Sequence, residues 1–388
     1  MLTKNIVFKN FRKNRNSLNI KSKLKSLIQE NNSILHSLSK NYQNNFNKKT
    51  INKYKKYSNF RIIGMGGSSL GTQTIYEFLK HKIKKNFLFF DNLKPSIKNN
   101  LKNYTNIVVS KSGNTIETIV NSNILINKKD KNIFITENKK SFLYSLANQL
   151  KSEIIHHNNF IGGRYSVLSE VGMLPAELMG LNSNNFKQFG SLIKNKKFLN
   201  SLVENVDAII NFHKKKKYNS IIINYDEKSE SLFKWYQQLV AESLGKQGKG
   251  LLPIVSKMPK DNHSVMQLYL DGFKNNFFTF FYVHENKSDK LNNSTLMSSQ
   301  NYLKNKRIND VIYAQKKATE NIFLKNKIPF RSFEIKKRDE KTLGELFSFF
   351  ILETILIGRL LNIDPYDQPA VELIKTETKR LLLWKRKK

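Results

Sequence analysis

Short apolar runs alternate with stretches in which apolar positions recur at helical spacing, and from about residue 60 this alternation organises the chain. The run from Phe60 to Met65 predicts a strand, followed by a Gly-Ser turn and a helix to about Leu79. Further strands are predicted from Phe87 to Phe90, Ile107 to Val109, Ile133 to Thr136 and Ile154 to His156. The run at Ile107 leads through a hydroxyl-rich turn into a helix reaching about Asn127. A second alternation begins with a strand from Ile221 to Asn224 and a helix from Glu230 to Ser243. It continues with strands from Leu251 to Val255, Phe277 to Val283 and Phe330 to Ile335. Continuous apolar strands interleaved with helices predict an α/β protein with parallel sheets covered on both faces.

Other stretches have helical character alone. Residues 1–55 predict basic helices, with apolar positions from Ile20 to Ile28 near helical spacing, and residues 182–217 predict a lysine-rich helical crossing. The most apolar segment, Leu343 to Ile363, is interrupted by Glu345, Glu353 and Arg359. Such charges are costly at bilayer depth, so it predicts a buried core helix. A final helix is predicted from about Pro369, ending in the tail Lys385-Arg386-Lys387-Lys388. The expected division is an arm over 1–55, a first domain over 56–181, the crossing over 182–217, a second domain over 218–342 and C-terminal helices over 343–388.

Composition narrows the chemistry. The 388 residues are 39% hydrophobic, enough for a substantial core. The absence of Cys excludes disulfides, thiolate catalysis and Cys-ligated zinc, and the 7 His show no ligand spacing, so no metal is expected. The net charge of +37 suggests nucleic acid or an anionic surface. Its lysines are scattered, however, and no zinc-finger, RNP-like or basic-zipper pattern accompanies them, so neither specific nucleic-acid binding nor a membrane is expected. Met1 to Ser26 holds no apolar run of signal-peptide length, which favours the cytoplasm.

Candidate chemistry sits in the turns. Ser110-Lys111-Ser112-Gly113-Asn114-Thr115-Ile116-Glu117-Thr118 follows a strand and opens a helix. Free amides, the positive helix end and several hydroxyls suit a phosphate there, and Gly113 lets the backbone curl inward. Gly64-Met65-Gly66-Gly67-Ser68-Ser69-Leu70-Gly71, with Asp91 ending the next strand, approaches a dinucleotide fingerprint. Ser69 stands where that pattern has its third glycine, and two hydroxyl-rich turns suit one small sugar phosphate better. Gly162-Gly163-Arg164-Tyr165-Ser166 permits close backbone approach beside a permanent cation. Gln238 and Glu242 share a helix face four residues apart, which makes Glu242 a candidate general base. His263 stands at a predicted helix start, and Lys375 would pass alone for a surface lysine.

Taken in order, these motifs resemble those of the glucose-6-phosphate isomerase family. That family shows a G-x-G-G-S-x-L-G turn, an S-K-[ST]-x-T-T-x-E-T loop, a G-G-R-[FY]-S segment, a Q-x-x-x-E-S helix, a later His and a Q-x-G-V-E-x-x-K close. Here the matching residues run from Gly64 to Gly71, Ser110 to Thr118, Gly162 to Ser166 and Gln238 to Ser243, then His263 and Gln368 to Lys375. The resemblance implies two α/β/α sandwich domains of sugar-isomerase type with helical N- and C-terminal extensions, and interconversion of glucose 6-phosphate with fructose 6-phosphate without a cofactor. It implies phosphate contacts from Ser110, Lys111, Ser112, Thr115 and Thr118. Gly67, Ser68, Gly163, Gln238 and Gln368 would lie beside the sugar. Glu242 would move the proton between C2 and C1, Arg164 would stabilise the enediolate, and His263 and Lys375 would open the ring. His263 would be lent by the second subunit of a homodimer. Asn114 replaces the first Thr of the family's T-T pair, and Ala370 stands in place of Gly. The alternative is a sugar-phosphate sensor of the same fold without turnover.

Overall fold

The apolar runs form the strands of two five-stranded sheets in the computed structural model, which describes residues 2–11, 18–97, 103–285 and 287–384. In chain order the strands are β1 (Ile6–Lys9), β2 (Asn59–Ile63), β3 (Asn86–Phe90), β4 (Thr105–Val109), β5 (Lys131–Thr136), β6 (Glu153–His156), β7 (Asn219–Asn224), β8 (Leu252–Lys257), β9 (Asn276–Val283) and β10 (Phe330–Ile335). The first sheet has the order β3-β2-β4-β5-β6 and is parallel throughout. Ile107, Val108 and Val109 of β4 and Ile133, Phe134 and Ile135 of β5 are fully buried, as a sheet covered on both faces requires.

Strand order decides where a ligand can sit. From β2 the chain runs outward to β3 and then returns to β4 on the other side of β2, so the crevice opens at the carboxyl ends of β2 and β4. The Gly64 to Gly71 turn and the Ser110 to Thr118 loop leave these two neighbouring strands. The second sheet, β1-β10-β9-β7-β8, reverses in the same way between β7 and β9. That second crevice is bridged by ion pairs. Arg338 donates from Nη2 to Asp226 Oδ1 at 2.6 Å and from Nε to Glu285 Oε1 at 3.0 Å.

The N-terminal arm departs from the helical expectation at its start. Ile6–Lys9 is a strand, paired antiparallel with β10 so that Ile6 lies opposite Ile335 and Phe8 opposite Phe333. The Phe8 and Phe333 ring centroids are 4.5 Å apart. Four residues are too few to reveal a period, but Ile, Val and Phe favour extended backbone, and the pairing covers the open edge of β10. Helices follow at Leu18–Gln29, Ser33–Ser37 and Lys48–Tyr54. The Ile308–Lys325 helix is an addition to the predicted elements; it buries only Lys316, Glu320 and Phe323, too narrow an apolar stripe to announce itself.

The apolar stretch near the C-terminus forms the Glu340–Leu360 helix, buried from Thr342 to Gly358. Its acidic residues find partners inside the protein. Glu345 Oε2 accepts from Thr3 Oγ1 at 2.6 Å, and Glu353 pairs with Arg331. Among the described residues no helix is long and apolar enough to cross a membrane. The Val371–Trp384 helix follows, and the Lys385 to Lys388 tail lies outside the described residues.

Candidate active site

The loop after β4 is built as a tight turn. Ser110 is buried and its N–H donates to Ile135 O at 3.1 Å, while its Oγ lies 2.9 Å from Thr115 Oγ1. Gly113 N–H closes the turn on Ser110 O at 3.1 Å. Gly113 has φ +67°, and a Cβ there would fall 2.1 Å from Ser141 Oγ. A side chain at this position meets both a left-handed backbone and a fixed neighbour. Gly113→Ala is therefore expected to lower stability by about 1–2 kcal/mol, read as a fall in thermal midpoint; an unchanged midpoint would show that the turn can relax.

Thr115 is the N-cap of the Ile116–Leu125 helix, and its side chain makes no capping bond. The hydroxyl and the first-turn amides thus face the loop together. Ser112 is exposed, and its Oγ accepts from Asn114 N at 3.2 Å. Asn114 Oδ1 in turn accepts from Phe142 N at 3.0 Å, so Asn114 fastens the loop to the neighbouring Phe142–Gln149 helix. Thr118 is buried and its Oγ1 has no hydrogen-bond partner. Lys111 Nζ donates to Asn159 O at 2.7 Å and lies 3.8 Å from Glu137 Oε1. Burial holds the Lys111 ammonium below the usual lysine range.

Four other segments meet at one point. Gly67, in the turn after β2, abuts the segment carrying Arg164, where a Cβ would sit 2.2 Å from the Gly163 carbonyl carbon. Only glycine permits that approach. Ser68, half-buried, completes the Gly66–Ser68 turn. The Glu230–Leu244 helix presents Trp235, Gln238 and Glu242 along one face, at helical spacing. Trp235 Nε1 donates to Arg164 O at 3.1 Å. Gln238 Nε2 donates to Glu242 Oε1 at 2.9 Å, and Arg164 Nη1 lies 3.3 Å from Glu242 Oε2. Gln368 Oε1 accepts from the same Nη1 at 2.6 Å.

Arg164 is 1% exposed, whereas the Glu242 side chain is 32% exposed. A buried cation therefore holds one oxygen of a carboxylate that still meets solvent. Such a carboxylate can exchange a proton with a ligand, and such a guanidinium can neutralise charge developing beside it.

His263 and Lys375 are not brought to this cluster within one chain. His263 is exposed at the end of the short Lys260–His263 turn rather than at a helix start. Lys375 is exposed in the Val371–Trp384 helix and pairs with Glu372 at 2.5 Å. The motifs contain Ser243 and Tyr165, but sequence reasoning gives neither a role. Ser243 Oγ accepts from Arg164 Nε at 2.8 Å, and burial pushes the Tyr165 hydroxyl pKa up to about 12, which keeps it protonated. The partners of Arg164 that sequence could not supply are the backbone carbonyls of Pro365 and Asp367, at 2.8 and 3.1 Å from Nη2.

Comparison with known proteins points to one family. The family model for phosphoglucose isomerase matches residues 4–255. A glucose-6-phosphate isomerase of Methanocaldococcus jannaschii is 32% identical over 364 residues, covering 86% of this chain and 87% of that protein. A glucose-6-phosphate isomerase of Acholeplasma laidlawii is 32% identical over 364 residues, covering 85% and 84%. Among crystal structures, a hypothetical protein of Thermus thermophilus superposes with a TM-score of 0.80 at 20% identity, covering 94% of each chain. A glucose-6-phosphate isomerase of Chlamydia trachomatis superposes with a TM-score of 0.69 at 17% identity, covering 96% of this chain and 80% of that one. The two structural likenesses establish the shared fold; the sequence matches go further, and by them this chain belongs to the phosphoglucose isomerase family.

Proposed function

We propose that the chain interconverts D-glucose 6-phosphate and D-fructose 6-phosphate as a cytoplasmic homodimer, using no metal or cofactor. The observation that carries this reading is the meeting of Gln238, Glu242, Arg164 and Gln368 at the crevice of the first sheet. The two sugars differ only in which of C1 and C2 carries the carbonyl. One carboxylate that removes the C2 proton of the open aldose and returns it to C1, with a hydroxyl proton moving between the oxygens, balances the change.

Glu242 takes that part. Both ends of its carboxylate are held by donors, so it meets the carbon in a fixed orientation. The cis-enediolate carries negative charge, which Arg164 stabilises from Nη1. Ser110, Lys111, Ser112, Thr115 and Thr118 hold the phosphate, and Gly67, Ser68, Gly163, Gln238 and Gln368 line the sugar. Binding energy at the phosphate keeps C1 and C2 in register with Glu242. His263 and Lys375 open the ring, with His263 supplied by the second subunit; its exposed position in one chain suits that arrangement.

A coupled assay supplying fructose 6-phosphate and consuming glucose 6-phosphate tests the reading. Turnover is expected, and an inert wild type that still binds the sugar phosphate would sink it. The subunit arrangement has its own test. Co-refolding Glu242→Gln chains with His263→Ala chains is expected to restore roughly one quarter of wild-type activity, since half the dimers are mixed and each mixed dimer holds one intact site. A mixture no more active than its better parent would place His263 in its own subunit's site or outside catalysis.

A further inference from the structure

The Arg164 guanidinium offers five N–H donors in a rigid fork, and each finds an acceptor. Nε–H goes to Ser243 Oγ at 2.8 Å, and Nη2 serves Pro365 O at 2.8 Å and Asp367 O at 3.1 Å. Nη1 serves Gln368 Oε1 at 2.6 Å and Glu242 Oε2 at 3.3 Å. The first three acceptors belong to the scaffold. The last two belong to the site.

The scaffold side closes on itself. Tyr165 O–H donates to Pro365 O at 2.9 Å, and the oxygens of Tyr165 and Ser243 are 2.8 Å apart. A phenol has one proton, and here Pro365 O takes it, so Ser243 must be the donor in the bond to Tyr165. Ser243 is then left with lone pairs toward Arg164 Nε–H. The result is a closed ring in which Arg164 Nε donates to Ser243, Ser243 to Tyr165 and Tyr165 to Pro365 O, while Arg164 Nη2 donates to the same carbonyl. Ser243 and Tyr165 are fully buried, so no water competes for these positions. Trp235, bonded to Arg164 O, holds the arginine backbone from the other side.

Resting on the isomerase reading, we propose that Ser243 and Tyr165 are positioning residues. Their hydroxyls hold the Nε and Nη2 edge of Arg164 and thereby turn the Nη1 edge, and only that edge, toward the enediolate. Neither hydroxyl touches the sugar. Their effect passes through the angle of one guanidinium, and small misplacements of a catalytic group are costly in rate.

Ser243→Ala and Tyr165→Phe are each expected to lower kcat for fructose 6-phosphate by about 10- to 100-fold, with KM changed by less than about twofold because the phosphate loop is untouched. The decisive comparison repeats both substitutions in an Arg164→Lys background. Lysine has no Nε–H and no fork to orient, so there each substitution is expected to change kcat by less than about twofold. Unchanged kcat in the single variants overturns the proposal, as does an equal loss in both backgrounds or a rise in KM matching the fall in kcat. Should Ser243→Ala fail to fold, Tyr165→Phe removes one oxygen, keeps the ring packing and carries the same cycle. Failure of the isomerase reading is separable, because it shows as an inert wild type before any variant is made.

Discussion

Glu242→Gln is expected to lower turnover of fructose 6-phosphate by about 10²- to 10⁴-fold or more, the usual contribution of a general base, while the sugar phosphate still binds. The substitution keeps the shape of the side chain and removes its basicity. It also removes a geometric match. Gln238 Nε2 and Arg164 Nη1 both donate toward position 242, and a carboxylate accepts both. An amide accepts through one end only and turns an N–H₂ toward the other donor. The loss should therefore include some disorder of Arg164 as well as loss of the base. Exchange of the C2 proton with deuterated solvent, followed by NMR, isolates the chemical step from product release. Exchange surviving at an appreciable rate would assign the proton transfer to another group.

The first sheet was legible because parallel strands covered on both faces are apolar through their centres, so Ile107 to Val109 of β4 and Ile133 to Ile135 of β5 stand out as unbroken runs, and β2 shows despite its buried Arg61. The two loops were legible as turns for a related reason, since a tight strand-to-helix turn draws glycine and hydroxyl residues whatever surrounds it. β1 was not, because a four-residue edge strand owes its conformation to β10, more than three hundred positions away in the chain. The orientation of Arg164 was hidden more deeply. Three of its five donors end on Ser243 and on the carbonyls of Pro365 and Asp367, and a backbone carbonyl leaves no mark on residue identity. Nor could the sequence show that the second, similar crevice is bridged by side chains. Both sheets reverse their strand order, but at the second the Asp226–Arg338–Glu285 pairs span the gap that the first leaves to the Ser110 loop.

Glu353→Ala is expected to cost about 3–5 kcal/mol of stability, the range for stranding one member of a buried ion pair. Glu353 and Arg331 are fully buried and paired deep in the second half of the chain. Asn205 Nδ2 donates to Glu353 Oε2 at 2.5 Å, and Tyr236 O–H donates to Oε1 at 3.0 Å. Arg331 also reaches Asn205 Oδ1 at 2.8 Å and Thr279 Oγ1 at 2.9 Å. The network thus joins β9, β10, the Lys196–Lys214 helix, the Glu340–Leu360 helix and, through Tyr236, the helix that carries Glu242. Removing the carboxylate leaves a guanidinium that water cannot reach. Removing both charges does not, so Arg331→Met with Glu353→Leu should recover most of the lost stability. Urea midpoints at equal m-values measure the difference. A single variant costing under about 1 kcal/mol would mean that Asn205, Thr279 and Tyr236 alone compensate the buried cation, and a double variant as weak as the single would locate the loss in packing instead of charge. Activity adds a second discriminator: because Tyr236 anchors the Glu242 helix to this network, the double variant should be stable yet slower than wild type, since the phenol loses its bonds to Glu353 and Arg331.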